Sequence, residues 1–334
     1  MRVFVAGAGG AIGKRLVPML IARGHQVTGT ATTEASAQAI RKLGADVVVV
    51  DGLDAIGIGE AVARSAPDAI IHEMTALSGA PDFKHFDRWF ATTNQLRTKG
   101  TENLLAAARA SGVKRFVAQS FTGWSNARSG TWVKTEDDPL DPHPVAAQSK
   151  TLAAIKFLER SVLDAPLEGI VVRYGGLYGP GSSDKLGEIL NKRMFPVIGS
   201  GAGYVSSTHI DDAASGTIAA LERGRRGIYN IVDDEPAPSA VFIPAIAAAI
   251  GAPKPLRIPA WLGRLVAGEV AVAMMTEGRG ASNAKARREL GWQPLWPSWR
   301  DGFRDGLDTV VPLPPRASEA ELAGPTQSRI GTAA

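Results

Sequence analysis

Near its amino end the chain reads Gly7-Ala8-Gly9-Gly10-Ala11-Ile12-Gly13. The five residues Arg2–Ala6 before it form an apolar strand pattern, and helical apolar spacing (Ile12, Leu16, Met19, Leu20) follows it. A glycine turn between strand and helix lets backbone approach a pyrophosphate, and the helix start offers unpaired N–H groups and a positive dipole end. Gly7, Gly10, Ala11, Ile12 and Gly13 are therefore candidate phosphate contacts. An acidic residue about 20 positions on, at the end of the second strand, holds a ribose 2′-hydroxyl and selects NAD. Here that place falls near Ala31, followed by Thr32 and Thr33, with no carboxylate before Glu34. Without that negative charge a 2′-phosphate is tolerated. The threonine hydroxyls can donate to it, and Lys14 and Arg15 add charge nearby. NADP(H) is favoured over NAD(H).

The elements that must position this turn alternate in type. Strand patterns at 26–30, 47–50, 69–72, 115–120 and 169–173 are separated by helical ones at 11–23, 34–43, 55–64, 94–111 and 148–163. That order predicts an α/β fold, a doubly wound parallel sheet of Rossmann type with ligand at the strands' carboxyl ends. The four valines at 47–50 predict a fully buried strand. After Arg173 the texture changes to Gly- and Pro-rich segments, further short strands near 206–210 and 227–231, and helices punctuated by Pro and Trp. The expected organisation is a cofactor domain of residues 1–175 plus about 206–235, and a substrate lobe of about 176–205 and 236–311. A loose tail of 312–334 follows.

Composition excludes several classes. The 334 residues contain no cysteine, which removes disulfide scaffolds, thiolate metal sites and thiol nucleophiles. Aromatics are 6% and net charge is +4, which suit a small anionic ligand rather than nucleic acid. No run of 18 apolar residues and no signal-peptide pattern appear, so the expectation is a cytoplasmic protein without a membrane partner. His209, Asp211 and Asp212 have metal-ligand residue types, but the two aspartates read as helix-start caps, and no metal is expected.

Several segments together resemble the extended short-chain dehydrogenase/reductases, the NAD-dependent epimerase/dehydratases. They are the Gly-x-x-Gly-x-x-Gly turn, Val50-Asp51-Gly52-Leu53-Asp54, Ile70-Ile71-His72, Asn94 with Gly100-Thr101-Glu102-Asn103-Leu104-Leu105, and Arg115–Ser120. Arg173-Tyr174-Gly175-Gly176-Leu177-Tyr178-Gly179-Pro180-Gly181, His209–Ala213 and Glu289-Leu290-Gly291-Trp292 continue the likeness to about residue 310. The resemblance implies cofactor contacts from Asp51, Gly52 and Leu53, from Met74, Thr75 and Ala76, and from Asn94. It adds Ser120, Lys150, Tyr174, Gly175 and Gly176. It also implies a homodimer paired through the helices at 94–111 and 148–163.

The family's catalytic pattern is a Ser or Thr after the fifth strand and Tyr-x-x-x-Lys on the next helix. Ser120 takes the first place and Lys150 the lysine place, but Ala146 stands four residues before Lys150. Alanine has no proton to exchange. The catalytic candidates are then Ser120 polarising a substrate oxygen, Lys150 on the cofactor ribose, and His143 or Tyr174 as replacement acid. His72 reads as structural or as cofactor wall. Glu73, unusual at an apolar strand end, points into the pocket or faces water. The function expected is an NAD(P)-dependent oxidoreductase or epimerase/dehydratase-like enzyme acting on a carbonyl or secondary alcohol of a small molecule, such as a sugar nucleotide. The alternative is a dinucleotide-binding sensor or partner protein without redox activity, because of Ala146. Titration with NADPH and NADH is expected to give the lower Kd for NADPH; NADH binding equally well or better overturns that preference.

Overall fold

The computed structural model describes residues 1–77, 81–183 and 185–308; the expected tail at 312–334 lies outside them. Seven strands form one sheet: β1 (Arg2–Ala6), β2 (Gln26–Ala31), β3 (Asp46–Val49), β4 (Ala69–His72), β5 (Arg115–Phe121), β6 (Glu168–Tyr174) and β7 (Gly227–Ile231). Their order is β7-β6-β5-β4-β1-β2-β3, and every pair is parallel. The chain winds outward from β1 in one direction and then returns to β4 for the other. That places the switch point between β1 and β4, where ligands of open α/β sheets bind.

The helices α1 (Ala11–Ala22), α2 (Glu34–Arg41), α3 (Ala55–Ser65), α4 (Thr101–Ala110), α5 (Ser149–Asp164) and α6 (Ile210–Arg223) flank the sheet. Side chains alternate along each strand, so each strand feeds two cores. Val3, Val5, Val117 and Val172 pack with α1 and α6 on one face. Phe4, Phe116, Ala118 and Val171 pack with α3, α4 and α5 on the other. A third core, including Val197, Phe242, Ile246, Trp299 and Phe303, lies within the later segments. Short ladders stitch these later segments together, 176–178 to 207–209 and 197–198 to 257–258.

Two sequence expectations change. The valine strand starts and ends one residue earlier, at Asp46–Val49, and it is an edge strand with Val49 exposed rather than a buried one, because β2 is its only partner in the sheet. The helix expected over 94–111 starts earlier and is not uniform. Residues 91–95 are helical, Leu96–Gly100 is a π-helical turn, and α4 follows directly. Such turns insert one residue into the helical ladder and frequently mark functional sites.

Helix α5 lies so close to β6 that a Cβ on Gly169 would sit 1.9 Å from the Val162 carbonyl oxygen. Gly169→Ala is expected to push helix from strand and cost about 2–4 kcal/mol, read by urea unfolding.

Candidate active site

The glycine turn forms as its sequence requires. Gly7 adopts φ +96°, and a Cβ there would lie 2.7 Å from the Glu73 backbone at the end of β4. Its amide is held by Thr30 Oγ1 of β2 at 3.0 Å. A Cβ on Gly13 would stand 2.4 Å from the Ala8 oxygen, so the third glycine lets α1 close down on the turn. Helix α1 starts at Gly10 with no side-chain cap and no acidic residue in its first turn. Uncapped N–H groups over a turn without side chains fit a dinucleotide pyrophosphate.

Several of the other expected cofactor contacts lie at the same edge of the sheet. Asp51 accepts from the Leu53 amide, turning the chain after β3. Gly52 admits Met74, whose sulfur would be 2.4 Å from an added Cβ. Thr32 and Asp51 border an open cavity of about 360 Å³ with Val50, Glu60 and Arg64. After β4, the Met74 amide donates to His72 Nδ1, and the Ala76 amide donates to Thr93; Thr75 lies between them. Gly175 and Gly176 continue from β6 and lean on the Ser206 backbone. Arg15 is tied through one nitrogen. Its Nε bonds Asp211 on α6, while Lys14 stays exposed.

Ser120 does not point its hydrogen at open space. Its hydroxyl donates at 2.7 Å to Glu159 on α5, and the same carboxylate takes two 2.7 Å hydrogen bonds from Arg173 on β6. All three residues are buried. Ser120 has one O–H to give, and it is given to Glu159. The role expected for it, polarising a substrate oxygen, would require that hydrogen to turn away from Glu159. Lys150 stands exposed at the start of α5, about 13 Å of helix from Glu159, and its amide caps onto Asp87. Ala146 lies before the helix, in a 3₁₀ turn.

The strip of α5 that shares a face with Glu159 holds Ile155 and Thr151, four and eight residues earlier. Both are fully buried. Thr151 donates to Asp87 and accepts from Asn94 Nδ2. An aliphatic side chain and a threonine thus hold the i, i+4 places on the face that turns toward Ser120. Sequence reading missed Glu159. Its signal was present, as a charge on the apolar stripe Leu152, Ile155, Leu158 and Val162.

Tyr174 is also closed off. It lies on the opposite face of β6, 1% exposed, with its hydroxyl 2.8 Å from Glu73 Oε1 and bonded to Thr217. Burial and the neighbouring Glu73 charge raise its pKa well above the ordinary phenol value, so it holds its proton. His143 is exposed on a loop tied by its backbone to Asp141 and Arg128. Neither joins Ser120 in hydrogen bonding. His72 is a buried brace. Its Nδ1 accepts from Met74, so Nε2 carries the hydrogen toward the Leu96 carbonyl, and burial lowers its pKa to about 4. Nor do Asp211 and Asp212 cap α6. His209 does, and Asp212 instead accepts the amides of Leu295 and Trp296.

Residues 3–232 match the model of the NAD dependent epimerase/dehydratase family. The chain belongs to this family. It is an NAD(P)-dependent oxidoreductase- or epimerase-like enzyme, with a nicotinamide dinucleotide as cofactor. It is 41% identical over 310 residues to a 3-diazoavenalumate denitrifying reductase of a Streptomyces species, covering 91% of this chain and 99% of that one. It is 29% identical to a 2-alkyl-3-oxoalkanoate reductase of Stenotrophomonas maltophilia, over 76% of this chain and 77% of that protein. Among solved structures, a UDP-glucose 4-epimerase of Thermotoga maritima superposes with a TM-score of 0.72 at 21% identity, over 92% of this chain and 97% of that one. No helix among the described residues is long and apolar enough to cross a membrane.

Glu73 gives this family member a measurable pH signature. Burial raises its pKa from 4.5 to about 8, against the hydrogen bonds from Tyr174 and Thr217 that lower it. Below pH 4.5 the carboxyl is protonated in folded and unfolded chain alike, and its contribution is complete. Between about 4.5 and 8 the unfolded chain releases the proton and the folded chain keeps it, so stability falls as pH rises. In Glu73→Gln, denaturant unfolding across that range is expected to lose a component of about 1.4 kcal/mol per pH unit. Asp212, raised to about 7 by burial, keeps a residual slope of the same sign. Parallel slopes in variant and wild type overturn the assignment.

Proposed function

We propose that this enzyme is an NAD(P)H-dependent reductase whose acceptor takes a hydride without a proton from a tyrosine. One observation carries the reading. The face of α5 turned toward Ser120 presents Thr151 and Ile155, and the tyrosine at the neighbouring strand end is sealed against Glu73. The dinucleotide, when bound, supplies the hydride. The chain's own work is to cradle phosphates on the amides of the glycine turn and to hold the strand ends in register. It also keeps water out with Met74, Leu96 and the buried Glu159 group.

An acceptor suited to such a site brings its own leaving group. In a diazonium, the C–N bond breaks with its electron pair leaving on N2, and the C–H bond forms from the hydride pair. No proton enters the balance. The Streptomyces relative is named for a denitrifying reduction of a diazo compound, and we assign the same reaction class here. The absence of a carboxylate after β2 supports NADP(H) over NAD(H) even with Arg15 Nε bonded to Asp211, since Thr32 remains exposed there. Residues 1–175 and 206–235 carry the cofactor in this reading, and 176–205 with 236–311 shape the substrate side. It also retains a cytoplasmic homodimer paired through the helices at 94–111 and 148–163.

The test offers NADPH with a benzenediazonium salt, an aromatic aldehyde and a 3-oxo ester, each against a protein-free control. Nicotinamide oxidation and N2 release are both followed. Turnover of the diazonium at least about tenfold above the carbonyl compounds is expected. Faster carbonyl turnover favours a ketoreductase. Tight NADPH binding with no turnover of any of them favours a protein that binds the cofactor without redox chemistry.

A further inference from the structure

Arg97 lies in the π-helical turn that His72 braces against the end of β4. The residue is 5% exposed, and its Nη1 has no hydrogen-bond partner among the described residues. The carboxylate that acts on it is Glu159, and Glu159 is already engaged by Arg173 and Ser120. Arg173 too leaves Nη1 without a partner among the described residues. Two buried guanidiniums thus feel one carboxylate, and only Arg173 hydrogen-bonds it. Burial lowers the Arg97 pKa only to about 10, so it stays a cation at neutral pH. A buried cation with an unused donor is costly unless something anionic completes it.

The surroundings say what that anion is attached to. The Arg97 guanidinium lies 5.4 Å from the Phe90 ring centroid. Phe90 packs on Phe86 at 4.6 Å and on Trp89 at 4.7 Å. Trp124, in the loop after β5, meets Phe86 at 5.2 Å and Phe121 at 5.9 Å. Val270 and Met274 of the later segments close on this group. In a chain with 6% aromatics, this many rings collect between the end of β5 and the substrate side. Trp89, Phe121 and Trp124 stay partly exposed. Flat apolar faces beside a cation suit a planar conjugated molecule with a negative group at one end.

We infer that Arg97 recognises the carboxylate of a planar aromatic substrate, whose ring rests on the wall formed by Phe90, Trp89, Phe121 and Trp124. This inference rests on the reductase reading for its place in a reaction and names the substrate class of that site. The arginine fork suits a carboxylate, accepting it through two parallel N–H donors. A neutral amide of the same shape leaves the buried cation unanswered.

Binding tests this without turnover. The NADPH-loaded protein is titrated with 2-naphthoate and with 2-naphthamide, followed by tryptophan fluorescence and by calorimetry. The carboxylate is expected to bind about tenfold or more tightly than the amide, the scale of one charge-assisted hydrogen bond. Arg97→Met is expected to erase the difference and Arg97→Lys to retain part of it. Equal binding of the two probes to the unaltered chain overturns the inference, with no variant needed. So does a preference for the carboxylate that survives in Arg97→Met. A carboxylate preference lost in Arg97→Met, in a protein that leaves NADPH unoxidised with every acceptor offered, upholds the anion site and sinks the reductase reading alone.

Discussion

The carboxylate of Glu159 is the fixed point of this molecule. It sits buried between α5 and the sheet, takes both arms of the Arg173 guanidinium from β6, and accepts the Ser120 hydroxyl from β5. A buried charge pair of this kind is weak evidence for net stability, yet removing one partner costs about 3–5 kcal/mol because the other stays buried and unpaired. Its structural consequence is rotational. Once Glu159 faces Ser120, every other residue of α5 has its direction assigned by the 3.6-residue period. Thr151 and Ile155 then look where Glu159 looks, and Lys150 does not.

Two arginines from different elements act on that one carboxylate, one by contact and one through space. Arg173 satisfies it through a bidentate bond, and Arg97 adds a second positive charge from the π-helical turn. The turn itself is anchored by His72, which burial keeps neutral and whose tautomer is set by the Met74 amide. On the other side of the sheet a second polar group is closed in by Tyr174, Glu73 and Thr217. Here the carboxyl keeps its proton instead of finding a cation. One strand end, β6, therefore feeds two buried acids solved in opposite ways. Arg173 supplies a charge on one face, and Tyr174 supplies only a hydroxyl on the other.

The glycine turn was legible in sequence because its constraints are local. Gly7 and Gly13 are required by backbone approaches of 2.7 and 2.4 Å that no Cβ tolerates, and a strand before and a helix after are readable from apolar spacing. The catalytic side was not legible in the same way. Counting back four residues from Lys150 finds Ala146, but the face of α5 that meets the strand ends is set by a residue nine positions further along. The signal was a lone glutamate on an apolar stripe, and its meaning depended on Arg173 and Ser120 lying opposite.

By itself, then, the sequence determined the parallel doubly wound sheet, the strand–glycine turn–helix unit and the lack of a carboxylate between β2 and Glu34. These follow from periodicity, from glycine's missing side chain and from charge, which act over a few residues. Only the tertiary structure decided that Ser120 spends its hydrogen on Glu159, that Arg15 Nε bonds Asp211, that the valine run is an edge, and that Arg97 is buried with a donor unused among the described residues. Each of those depends on partners 39 to 196 residues apart or on a place in the sheet. Hydrogen-bond pairing and burial over such separations are properties of the packed chain, and no local pattern carries them.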